Sequence, residues 1–78
     1  MNHVIYAFDK KTEELSFEVH IPSKMIEKLR KIMGWVEAED EIYGYDLDSH
    51  QIEELQIMLN RAFLDPQYLF QIVGHSDE

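Results

Sequence analysis

The sequence predicts an α+β fold from three patterns. Two strand-like apolar stretches stand at the N-terminus, two segments carry helical apolar spacing, and a last apolar run follows the second of these. The expected order is β-β-α-β-α-β, with a small, mostly antiparallel sheet packed against two helices around one core. At 78 residues the chain makes one domain, 1–78, with no room for a second.

The first stretch, His3 to Asp9, reads HVIYAFD. Val4, Tyr6 and Phe8 share one face, and Ile5 and Ala7 the other. A strand apolar on both faces is central or covered twice. In the second, Leu15, Phe17, Val19 and Ile21 alternate with Ser16, Glu18 and His20. That period of two predicts a strand with one buried face. The intervening KKTEE is turn-like, so the two form a hairpin. Pro22 ends the second strand, and Ser23 suits a helix N-cap. From Lys24 to Met33, Met25, Ile26, Leu29, Ile32 and Met33 form an inward stripe. Lys24, Glu27, Lys28, Arg30 and Lys31 lie outside it. Gly34 supplies the stop, since glycine tolerates the left-handed conformation.

Trp35 to Glu41 reads as a connection, and Ile42 to Leu47 as a brief strand interrupted by Gly44. Asp48 caps the second helix, with Gln51 completing a capping box. Ile52, Leu55, Met58, Leu59, Ala62 and Phe63 form its stripe, and Asp65-Pro66 stops it. Tyr68 to Val73 is the last strand, and 74–78 a frayed polar end. Strand order does not follow from the pattern. Two sheet edges remain, and an edge can recruit another chain.

Sixteen acids oppose seven basic residues, a formal net charge of −9. That balance disfavours nucleic acid and anionic membrane surfaces, which need basic faces. It permits a basic protein partner found by electrostatic steering, although acidity also serves plain solubility. The absence of cysteine fits a reducing compartment. The N-terminus lacks the apolar core of a signal peptide, and no run reaches the length of a membrane helix. A soluble cytoplasmic protein is expected.

Catalytic chemistry finds little footing. Ser16, Ser23, Ser49 and Ser76 include none in a strained glycine-flanked turn. His50 with Glu53 and Glu54 gives one helical ligand pair and no second, better read as an exposed helix start. A calcium loop from Asp46 would need glycine where Gln51 stands and glutamate where Ile57 stands. The three glycines are too scattered for a phosphate loop. No enzyme, cofactor or metal is expected.

A binding surface remains. From Met33 to Asn60 there is no lysine or arginine, yet half of all the acids lie there. Trp35, Tyr43 and Tyr45 are embedded among them, and such aromatics are enriched at binding hot spots. The candidate contact residues are Trp35, Glu37, Glu39, Asp40, Glu41, Tyr43, Tyr45, Asp46 and Asp48. The competing assignment has Trp35 capping the core. It also has one tyrosine facing inward, while a shared face of the short strand would make Tyr43 and Tyr45 both buried or both exposed.

The opening YAFDKKTEELSFEVHIP, the short helix after it and the acidic middle resemble the small acidic immunity proteins of contact-dependent growth inhibition systems. The hairpin carries the resemblance over about a quarter of the chain, and the rest matches in size, acidity and layout. The resemblance implies a cytoplasmic, noncatalytic protein that binds one cognate basic nuclease toxin domain as a monomer in a 1:1 complex. Such proteins cover the toxin's active site or substrate groove. Several of these toxins cleave transfer RNA, and some engage elongation factor Tu, which would add a third protein. No catalytic residues carry over. An acidic surface with aromatics could fill a groove built for phosphates. The alternative function is a homo-oligomeric or regulatory module that uses an exposed strand edge.

Overall fold

A computed structural model describes residues 2–75. Four strands and two helices follow in the expected order: β1 (Asn2–Asp9), β2 (Leu15–Ile21), α1 (Ile26–Met33), β3 (Tyr45–Asp46), α2 (Ser49–Leu59) and β4 (Tyr68–His75). Two 3-10 turns, Ser23–Met25 and Ala38–Ile42, lie between them. The sheet order is β2-β1-β4-β3 and every pairing is antiparallel. The domain is therefore α+β, and β1 is central, which accounts for its apolar character.

Ile5 and Ala7 of β1, Val19 and Ile21 of β2, and Phe70 and Ile72 of β4 meet Leu29 of α1 and Ile52 and Leu55 of α2. Side chains alternate along a strand, so Val4, Tyr6 and Phe8 point to the opposite face. Leu15 joins them. Ala7 pairs with Phe17 but Phe8 pairs with Leu15, leaving Ser16 as the extra residue of a β-bulge. The bulge turns Leu15 away from the core and leaves it 46% exposed, which corrects the unbroken alternation read from the sequence.

The hairpin turn is shaped by Asp9, whose Oδ1 accepts from the backbone N–H of Lys11 (2.8 Å) and Thr12 (3.1 Å). A side-chain hydrogen bond from Gln67 and, behind it, those two backbone bonds hold the Asp9 carboxyl below its ordinary pKa. Before α1 the chain makes a 3-10 turn, and the Ser23 side chain caps nothing there. Gly34 closes α1 at φ +71°, as its place in the sequence requires.

The capping box of α2 is present. Asp48 accepts from the Gln51 backbone at 2.8 Å, and Gln51 Oε1 accepts from the Asp48 N–H at 3.0 Å. The helix ends earlier than its apolar spacing suggested. Asn60 adopts the left-handed conformation at φ 52°. The Gln56 side chain then accepts from the N–H groups of Phe63 and Leu64. Phe63 thus reaches the core from an extended segment, and Ala62 is exposed. At the other end, Gly74 and His75 belong to β4 rather than to a frayed tail, and the Tyr6 hydroxyl and His75 Nε2 share a 2.7 Å hydrogen bond. Residues 76–78 lie outside the described residues.

Candidate protein-binding surface on the acidic connector

The connector from Gly34 to Asp48 is braced from beneath by its own residues. Trp35 packs against the core, its ring 5.3 Å from His3 and 5.6 Å from Tyr45. The Trp35 indole N–H is buried without a hydrogen-bond partner among the described residues. Asp40 folds back on the chain, and its Oδ2 accepts from the N–H of Val36 (3.1 Å) and Glu37 (3.0 Å). The Asp40 N–H donates in turn to the Glu37 backbone carbonyl at 3.1 Å, which closes the 3-10 turn. Tyr45 donates its hydroxyl to the Asp40 carbonyl at 2.8 Å. Burial, with smaller contributions from the Asp40 and Tyr43 charges, raises the Tyr45 pKa above its ordinary 10.0.

Glu41 is held most firmly. Its Oε2 accepts from Arg30 Nε at 2.8 Å and lies 2.7 Å from Arg30 Nη2. Arg30 also pairs with Glu27 at 2.9 Å. The hydrogen bond to Glu41, and behind it the charges of both glutamates, raise the Arg30 pKa against the opposing effect of burial. The Glu41 backbone is fixed as well, since its carbonyl accepts from buried His3 Nε2 at 3.0 Å. Glu41 is 8% exposed, so its negative charge faces inward and is balanced there.

Other residues of the same segment face solvent. Val36 is 87% exposed, Tyr43 55% and Ile42 51%. Glu37 and Glu39 are exposed beside them in sequence. Tyr43 and Tyr45 do not share a strand face, because β3 begins only at Tyr45 and Tyr43 lies before it. Tyr45 is half-buried and Tyr43 is free. Asp46 and Asp48 are exposed at the far end. The first accepts from Gln71 Nε2 at 3.0 Å and the second caps α2.

The nine candidate residues therefore divide. Trp35, Asp40, Glu41 and Tyr45 form the scaffold, and Glu37, Glu39 and Tyr43 stand above it. Val36 and Ile42 join the presented set, although reading for acids and aromatics passed over them. Their signal was the presence of two branched aliphatics in a polar connector with no stripe to join. Elsewhere, His50 lies 3.5 Å from Glu54 as a surface pair. Among the described residues no three His, Asp or Glu side chains gather to hold a metal ion.

Residues 2–73 match the family described as Domain of unknown function, DUF7683. The chain belongs to the DUF7683 family. The match takes in the whole hairpin, both helices and the braced connector, so the DUF7683 domain includes the candidate surface. No curated protein matches this DUF7683 chain.

Proposed function

We propose that this DUF7683 domain is an immunity protein that binds and neutralises a basic, RNA-cleaving toxin domain. The observation that carries the proposal is the exposure of Val36, Ile42 and Tyr43 alongside Glu37 and Glu39 on a connector fixed by Asp40, Glu41 and Tyr45. A pre-ordered loop loses little conformational freedom on binding, which favours affinity. An exposed tyrosine next to an exposed isoleucine is the type of residue that anchors an interface. The carboxylates and the charge of −9 steer a basic partner and match a groove shaped for phosphates. In this reading the domain acts in the cytoplasm, as a monomer in a 1:1 complex, and performs no catalysis. Elongation factor Tu would join only through the toxin.

The test takes the product of the adjoining gene, which the proposal requires to carry a nuclease domain. Stoichiometric addition should abolish cleavage of transfer RNA, and a Glu37→Gln/Glu39→Gln/Tyr43→Ala variant should restore it. Undiminished cleavage with the wild-type chain, or the absence of any adjoining nuclease, refutes the reading. One observation favours a homo-oligomer instead: β2 is a seven-residue edge strand. A stable dimer in sedimentation, with no toxin bound, would select that alternative.

A further inference from the structure

We infer that the groove between α1 and α2 is a second docking surface, one that takes an acidic amphipathic segment of a partner protein. The groove has a volume of about 400 Å³ and is lined by Lys28, Lys31 and Ile32 of α1 and Glu54, Ile57 and Met58 of α2. The core residues Leu29, Ile52 and Leu55 of the same helices do not line it.

One apolar residue of its lining, Ile57, is not used in folding. The buried stripe of α2 runs through Ile52 and Leu55. Ile57 stands two residues beyond Leu55, off that stripe, and is 81% exposed. An isoleucine on the outer face of a helix contributes nothing to the core. Ile32 and Met58 are half-buried and packed inward against the core, and their outer flanks add to the groove wall beside Ile57. Methionine is flexible and polarisable, which suits a floor that must fit an incoming side chain.

The charge of the rim identifies the occupant. Lys28 and Lys31 stand three residues apart on one helix and so lie on one side of it. Both are exposed, and among the described residues neither forms a salt bridge. The seven basic residues of a chain with net charge −9 are few, and two of them flank this floor. The lining holds a single acid, Glu54, against the two lysines. The rim is thus basic on an otherwise acidic molecule. A helix that lays apolar residues spaced i, i+3 or i+4 onto Ile32, Ile57 and Met58, with Asp or Glu beside them, satisfies floor and rim together. The surface is separate from the connector, so it stands whether or not the connector binds a toxin.

Selection of a random-peptide display library on the immobilised full chain tests the proposal. Enriched peptides should pair acids with apolar residues at helical spacing. A synthetic peptide of the enriched sequence should lose at least about tenfold in affinity to Lys28→Glu/Lys31→Glu, because its acids would then meet like charges. Ile57→Ser should weaken it too, while Tyr43→Ala should leave it unchanged. The exposed positions let these variants fold, which circular dichroism would verify. No enrichment, enrichment of basic or neutral peptides, or affinity that survives Lys28→Glu/Lys31→Glu would overturn the proposal. So would self-association of the chain abolished by the same two substitutions, since the occupant would then be a second copy.

Discussion

Within the connector, Trp35, Asp40, Glu41 and Tyr45 differ from Val36, Glu37, Glu39, Ile42 and Tyr43 in almost every physical respect, although the two sets interleave along a dozen residues. The first set makes hydrogen bonds, ring contacts and an ion pair with the body of the domain. Three large apolar members of the second set face solvent. The difference teaches that counting acids overstates the charge on offer. Glu37, Glu39, Asp40 and Glu41 look like one block of four. Glu41 is offset by Arg30, and Asp40 spends its carboxylate on two backbone N–H groups. Glu37 and Glu39 remain as the exposed carboxylates of that block. What the segment adds in their place is apolar surface.

Substitutions can separate the two sets. Trp35→Ala should lower stability by about 3 kcal/mol, because it removes a large packed ring, and urea unfolding would report it. Partner binding should fall with it as the loop loses its support. Tyr43→Ala should do the reverse. It should change stability by no more than about 0.5 kcal/mol and cost about 2 kcal/mol of binding, roughly 30-fold in Kd by titration calorimetry. If Tyr43→Ala unfolded the domain, or Trp35→Ala left it intact, the division into brace and surface would fail.

Asp48→Ala should cost about 1 kcal/mol of stability, because the side chain caps α2, and should scarcely alter binding. The smallest effect concerns the hairpin turn, far from the connector. The Asp9 carboxyl is held below its ordinary value of 3.8, so its contribution is full above that pH and fades as pH falls below it. Asp9→Asn keeps an acceptor for the turn and should flatten this acid limb of the stability–pH curve, while the curve above pH 5 keeps its shape.

The two-layer α+β class and the order of elements were legible in the sequence, because period two and period 3.6 are strong local signals. So were Gly34 and the Asp48–Gln51 box, whose chemistry is local. The departures have tertiary causes. Leu15 faces outward because a bulge shifts its register, and a bulge exists only against a partner strand. Phe63 lies past the end of α2 because Asn60 and the Gln56 side chain close the helix first. In the candidate surface, the segregation of charge and aromatics was visible. The inward turn of Glu41 was not, since nothing local announces its pairing with Arg30. Nor was the separation of Tyr43 from Tyr45, which depends on how little of the segment β4 can pair.

The central claim is that the presented set of the connector meets a basic partner. The most direct measurement is the association rate with the basic nuclease toxin domain that the proposal calls for, followed by stopped-flow as salt is raised. Screening acts over about 8 Å at physiological ionic strength, so the account predicts a rate that falls steeply with salt. It also predicts a shallower fall for Glu37→Gln/Glu39→Gln. A rate indifferent to salt, with equal slopes for the wild-type and substituted chains, would contradict it.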